Sequence, residues 1–132
     1  MGTAQGALEK TIDHVKKRKA FGGPLASLQI VQAKIAEMAT LVEAGRSLLY
    51  RAAQAVDRGE IDPALIAMAK WYTCENAVKV ADEAIQLHGG YGILKEYGVE
   101  HYWRDAKVFE IFEGTKEVEK VLIGKKLLGG TG

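Results

Sequence analysis

At 132 residues, with 48% hydrophobic and 27% charged residues, the chain is long enough to bury one core and has the balance of an ordinary globular protein. Its formal net charge of +1 gives no global field to steer nucleic acid or a membrane surface, and one cysteine, Cys74, excludes an internal disulfide framework and a cysteine-based metal cluster. No run of about 18 apolar residues and no apolar stretch behind N-terminal positive charges occurs, so neither a membrane span nor a signal peptide is expected. The cysteine usage points to a reducing compartment, cytoplasmic or, in a eukaryote, the mitochondrial matrix, and not to secretion.

The first predicted helix covers about residues 3–19, with Ala4, Ala7, Leu8, Ile12 and Val15 on one face and Glu9, Lys10, Asp13 and Lys16 on the other. Met1-Gly2 offers no cap, which suggests a helix continuing from an earlier segment. The run Lys16-Lys17-Arg18-Lys19 suits the last turn, where cations complement the helix dipole, and Gly22-Gly23-Pro24 stops it. Read as a nucleic-acid patch, the same run has the overall charge balance against it.

A second helix is expected over residues 27–57, with Ser27 as N-cap and a stripe through Leu28, Val31, Ile35, Met38, Leu41, Val42, Leu48, Leu49, Ala52 and Val56. Gly45 in its middle implies close approach of a neighbour. A third helix, 63–88, has the strongest start signal in the chain, Asp62 at the N-cap and Pro63 at the first position. Its apolar face runs from Leu65 through Met68, Ala69, Tyr72, Val78 and Ala81 to Ile85 and Leu87, and Gly89-Gly90 stops it. Cys74 reads as a small buried hydrophobe rather than a nucleophile, since no histidine lies near it in sequence.

Gly90-Tyr91-Gly92 lacks the third glycine of a dinucleotide fingerprint and follows a helix instead of a strand, so it reads as helix capping. A short helix over 99–107 and a last one over 115–128, with Thr115 as N-cap and Val118, Leu122 and Leu128 on its face, precede a frayed tail at Gly129-Gly130-Thr131-Gly132. No strand pattern occurs. Long helices with short connections make an all-α, up-and-down four-helix bundle with an extra short helix, one domain over residues 1–132.

Between the last two helices, Glu113 stands at a break, in Phe112-Glu113-Gly114-Thr115. By itself it reads as a charge complementing a helix N-terminus. Taken in order, however, Arg18-Lys19-Ala20-Phe21-Gly22, Gln29, Gln86-Leu87-His88-Gly89-Gly90-Tyr91-Gly92, Arg104-Asp105-Ala106-Lys107 and Glu113-Gly114-Thr115 resemble the C-terminal helical domain of the acyl-CoA dehydrogenases. The resemblance spans essentially the whole chain and implies that it is the last third of such an enzyme, without the N-terminal helical and middle β domains.

The resemblance implies an FAD-dependent oxidation of an acyl-CoA thioester to the 2,3-enoyl-CoA, with electron-transfer flavoprotein as acceptor and a homodimeric or tetrameric assembly. Glu113 matches the base that removes the α proton, and its backbone N–H matches a donor to the thioester oxygen. Gly114 matches a slim backbone position where acyl chain and flavin meet. Arg18 matches an arginine that reaches the FAD phosphates, Phe21 a ring beside the cofactor, Gln29, Gln86 and Gly90 positions lining its adenosine-pyrophosphate half across a subunit interface, and Thr115 a contact to FAD in its own subunit. Ala20 stands where many members carry threonine, Glu117 where glutamine is frequent, and His101 where lysine or arginine is expected.

For the pKa of Glu113 an apolar tunnel and the neighbouring Glu110 act upward, the helix start downward, and the sequence leaves both open. No metal site is expected. Isolated, the chain should be nearly inactive. The reading from another class is a bundle that only self-associates or completes another subunit, which would have no use for Glu113 in its Phe-Glu-Gly-Thr setting.

Overall fold

In the computed structural model, which describes residues 1–129, the chain forms α1 (Gly2–Lys17), a minimal hairpin of β1 (Lys19–Ala20) and β2 (Gly23–Pro24), α2 (Gln29–Asp57), α3 (Pro63–His88), α4 (Glu100–Phe109) and α5 (Lys116–Leu127). The fold is all-α, with α4 as the short extra helix. The expected tail falls at residues 130–132, outside the described residues.

Helix α3 is the axis, in contact with α1, α2, α4 and α5. It begins where Asp62 Oδ1 accepts the Ala64 N–H at 3.0 Å, with Pro63 supplying a preset φ and no orphan donor. Its buried face is mostly alanine, Ala77, Ala81 and Ala84 with Val80, packed against Ala4, Ala7 and Leu8 of α1, Met38 and Val42 of α2, and Val99 and Ala106 at α4. Small side chains bring helix axes close together, so the core is thin and its energy rests on close backbone approach. Gly45 belongs to this pattern: a Cβ there would come within 2.9 Å of Met1 Sδ and 3.5 Å of Thr73 Cγ2. A second cluster, Ala52, Ala55, Leu65 and Ala69, closes the α2–α3 hairpin. Polar ties lock the register, with Lys34 of α2 paired to Glu83 of α3, and Arg46 Nη2 donating to Gln5 Oε1 of α1 at 2.8 Å.

Several expectations change. Helix α1 ends at Lys17, not Lys19, because Arg18 turns extended (φ −70°, ψ 124°) and Lys19 and Ala20 pair with Pro24 and Gly23. The hairpin tip, Phe21 and Gly22, takes φ of +53° and +89°, the double positive-φ pattern whose twist matches two-residue hairpins. A two-residue strand leaves no periodicity to read, hence its absence from the sequence reading.

Ser27 is not the cap of α2. It lies in a 3-10 turn, Leu25–Ser27, and its hydroxyl donates back to the Pro24 carbonyl at 2.7 Å, so α2 starts at Gln29 with no side-chain cap. Leu49 and Val56 of the expected α2 stripe are exposed, lining a groove with Ile66 and Lys70 of α3. On α5 the expected face of Val118, Leu122 and Leu128 is exposed and Ile123 is buried instead, because only α3 supports that helix over most of its length. No helix among the described residues is long and apolar enough to cross a membrane.

Candidate functional site

The α4–α5 connection holds Glu113 in a conformation that glutamate adopts rarely, φ +56°, followed by Gly114 at φ +101°. It is the positive φ of Gly114 that favours glycine; a Cβ there would also fall 2.3 Å from Glu119 Oε1, the end of a flexible side chain that can swing aside. The cost falls on Glu113, the non-glycine residue at positive φ, and two lysine-based clamps restrain its loop. From α3, Lys70 Nζ donates to the carbonyls of Phe109 (2.5 Å), Phe112 (3.2 Å) and Gly114 (3.3 Å), and lies 5.7 Å from the centre of the Phe112 ring. At the loop base Glu110, 5% exposed, pairs with Lys107 and with Lys116 at 3.6 Å, while the Lys116 N–H donates to the Glu110 carbonyl at 3.3 Å. Thr115 caps α5, its hydroxyl accepting the Val118 N–H at 3.4 Å.

On this clamped loop the Glu113 side chain is exposed and makes no hydrogen bond or ion pair among the described residues. Nor does any described residue accept a hydrogen bond from the Glu113, Gly114 or Thr115 amide. The arrangement is an exposed carboxylate beside amides with no acceptor among the described residues, able to take a proton from a bound molecule and to donate to an oxygen on it. Glu110, read from the sequence as a like charge next to Glu113, is a neutralised anchor.

A second group sits at the other end of α3. Leu25 N–H to the Arg18 carbonyl, 2.8 Å, closes the hairpin, which places Arg18 at its base and Phe21, 88% exposed, at its tip. The 3-10 turn leads directly to Gln29 at the exposed start of α2. Opposite, the last turn of α3 exposes Gln86, and Gly89 at φ +61° turns the chain into Gly90 and Tyr91. The Arg18 guanidinium lies 5.2 Å from the centre of the Tyr91 ring and joins the two segments. Thus the structure brings Arg18 to Tyr91, the residue after Gly90, and leaves Glu113, Gly114 and Thr115 elsewhere. The sixteen residue steps from Lys70 to Gln86 are roughly 24 Å of helix at 1.5 Å each.

Beneath the second group His14 of α1 stacks on His88 of α3, ring centres 4.0 Å apart, and His88 Nδ1 meets the Ala84 carbonyl at 2.7 Å, which makes it the protonated nitrogen. Burial, then the other ring, then Arg18 hold the pKa of His14 below its usual value; burial, against the Ala84 bond and with Lys10 nearby, holds His88 below its own. The folded chain therefore refuses protons that the unfolded chain takes up. Stability should be full above about pH 6.5 and fall as the pH drops toward the lowered folded values. Thermal midpoints between pH 7.5 and 5 should decline, and His14→Phe should flatten that decline by removing one member of the pair.

The departures from the resemblance are placed as well. Ala20 pairs in the hairpin, Glu117 is exposed in the first turn of α5, and half-buried His101 packs its ring on Tyr102 with Nδ1 3.8 Å from Glu100. Sequence reasoning missed Lys70, His14, His88 and the role of Tyr91. The first three sit within helical patterns that carry no local signal of their distant partners. Tyr91 was visible between two glycines.

A family model described as the C-terminal domain of acyl-CoA dehydrogenase matches residues 1–128. Among curated relatives, an acyl-CoA dehydrogenase of Bacillus subtilis is 47% identical over 131 residues, 99% of this chain and 35% of that protein. The caffeyl-CoA reductase-Etf complex subunit CarC of Acetobacterium woodii is 43% identical over 128 residues, 97% of this chain and 34% of that protein. Among solved structures, butyryl-CoA dehydrogenase from Megasphaera elsdenii superposes with a TM-score of 0.94 at 39% identity, over 96% of this chain and 33% of the other. The chain thus spans about a third of the length of the relatives it matches.

Proposed function

Because the chain belongs to the acyl-CoA dehydrogenase family, as its C-terminal domain, we propose that it supplies the α-proton base and one side of a flavin site in an enzyme that oxidises an acyl-CoA to the 2,3-enoyl-CoA. The observation that carries this reading is Glu113: a strained, unpaired, solvent-facing carboxylate on a loop clamped from both sides. Such strain is retained where a side chain must be held in one place for chemistry.

Members of the family are FAD flavoproteins. When bound, FAD supplies the acceptor for the hydride that leaves the β carbon. The donor set here suits such a dinucleotide: Arg18 offers a guanidinium for a pyrophosphate, Gln29 and Gln86 offer neutral amides, and a Cβ at Gly90 would meet nothing within 4 Å, leaving room for close approach. Phe21 presents an exposed ring at the same end. The Glu113 carboxylate takes the α proton, and its N–H donates to the thioester oxygen as enolate charge develops. Gly114 keeps the backbone thin beside the acyl chain. The Thr115 oxygen caps α5, and its O–H hydrogen is left to donate toward the cofactor.

The roughly 24 Å of helix between the two groups fits an assembly in which Arg18, Phe21, Gln29, Gln86 and Gly90 serve one cofactor while Glu113 and Thr115 serve another. A homodimer or tetramer then forms, consistent with the exposed apolar side chains Ile30, Leu49, Val121 and Leu127. The N-terminal and middle domains complete the substrate walls, electron-transfer flavoprotein is the acceptor, and the chain alone has little activity. The compartment is the cytoplasm or the mitochondrial matrix.

Arg18→Ala tests the cofactor half. In the assembled enzyme FAD affinity should fall about tenfold or more, the scale of a lost charge-assisted hydrogen bond, while the flavin-loaded fraction turns over at the normal kcat. Wild-type flavin retention on dialysis would contradict the assignment.

A further inference from the structure

We propose that Lys70 is a positioning residue that aims the Glu113 and Thr115 amides at the substrate side of the loop, an inference that rests on Glu113 being the α-proton base. A trans peptide is planar and its C=O and N–H point in opposite directions. The Phe112 carbonyl and the Glu113 N–H share one peptide, and the Gly114 carbonyl and the Thr115 N–H share another. Lys70 Nζ holds both carbonyls, at 3.2 and 3.3 Å, and the Phe109 carbonyl at 2.5 Å. All three ammonium donors are thereby used on one loop. Each carbonyl pulled toward α3 turns its N–H partner away from α3, and neither N–H has an acceptor among the described residues. A cation on the carbonyl side also polarises the peptide and strengthens the N–H as a donor.

Holding the loop to the fold is a separate task with separate parts. Glu110, buried between Lys107 and Lys116, ties its two ends together without Lys70. Lys70 itself stands on the helix that every other helix contacts, so its anchor point does not move. Removing its ammonium leaves the loop attached and the two peptides free to rotate. The carboxylate then keeps its chemistry while the thioester oxygen loses its aligned donor.

The test compares Lys70→Met, Lys70→Arg and Glu113→Gln in the assembled, flavin-loaded enzyme. Deleting an oxyanion donor outright costs about 100- to 1,000-fold in kcat, so loss of its alignment in Lys70→Met should cost about 10- to 100-fold, with KM within about threefold and flavin content unchanged. Lys70→Arg, which restores charge and donors, should recover most of that loss. Binding gives a readout independent of turnover. A 3-ketoacyl thioester that binds as its enolate should bind Lys70→Met at least about tenfold more weakly, whereas the thioether analogue lacking the thioester oxygen should bind as it does to the wild type.

Equal weakening of both ligands would make Lys70 merely structural and overturn the proposal. So would wild-type kcat in Lys70→Met beside an inactive Glu113→Gln. A fully active Glu113→Gln would instead remove the base assignment itself, whatever Lys70→Met does. Should Lys70→Met fail to accumulate, Lys70→Gln carries the same ligand comparison: a selective loss for the enolate supports the proposal, and equal binding of both ligands at wild-type strength overturns it.

Discussion

Glu113→Gln in the assembled enzyme is expected to lower kcat by about a thousandfold or more, the upper range for removing a positioned general base. An α C–H beside a thioester is a very weak acid, so the base must sit in contact with it. Glutamine matches glutamate in size and keeps the backbone N–H, but it cannot accept the proton. The residue already adopts φ +56° without help from its side chain, since no hydrogen bond or ion pair of the carboxylate holds the loop. The loop geometry, set by Lys70 and Glu110, should therefore survive the substitution. Flavin content, thermal midpoint and KM should stay near wild type while kcat collapses, the pattern of an interaction made only in the transition state. A parallel loss of flavin would point to a structural role for Glu113 and against the base.

The second large effect concerns the far group. Gly92→Ala should destabilise the fold by about 2 kcal/mol, lowering the thermal midpoint by about 6–10 °C for a domain of this size. A Cβ at residue 92 would fall 2.5 Å from the Ile85 carbonyl oxygen and 3.1 Å from His88 Cβ, and neither can yield without moving the last turn of α3. That turn carries Gln86 and leads to Gly90 and Tyr91, so flavin affinity should fall with stability. Two residues earlier the outcome reverses. At Gly90 a Cβ would meet nothing within 4 Å and φ is not positive, so Gly90→Ala should leave the midpoint within about 2 °C of wild type. Differential scanning of the two variants side by side separates a glycine required by packing from one that only leaves space.

The helix starts that the sequence announces chemically are found in the structure: Asp62-Pro63 opens α3 and Thr115 caps α5. Starts without chemistry were misread. Ser27 has the residue type of an N-cap, but its hydroxyl is spent on Pro24 one turn too early. The hairpin around Phe21 is too short for any periodic signal, and its tip places a bulky residue where glycine or asparagine would have announced the turn.

At the candidate site, the residues visible in sequence were those in compact motifs, Glu113-Gly114-Thr115 and Gly89-Gly90. What holds them was hidden by distance along the chain. Lys70 lies 39 to 44 residues from the carbonyls it binds and reads locally as an ordinary charged position on an amphipathic helix. Glu110 reads from sequence only as a like charge near Glu113, because sequence does not say which of two nearby carboxylates turns inward; the lysines on both sides decide it. The exposed apolar faces of α2 and α5 were likewise hidden, since a stripe at helical spacing does not say what covers it.

The central claim, that Glu113 removes the α proton, is tested most directly by exchange. With the flavin-loaded enzyme held without an electron acceptor in deuterated water, an acyl-CoA that resists β oxidation should acquire deuterium at its α carbon. Glu113→Gln at the same flavin content should slow that exchange to the uncatalysed rate. Exchange at the wild-type rate in Glu113→Gln would place the base on another residue.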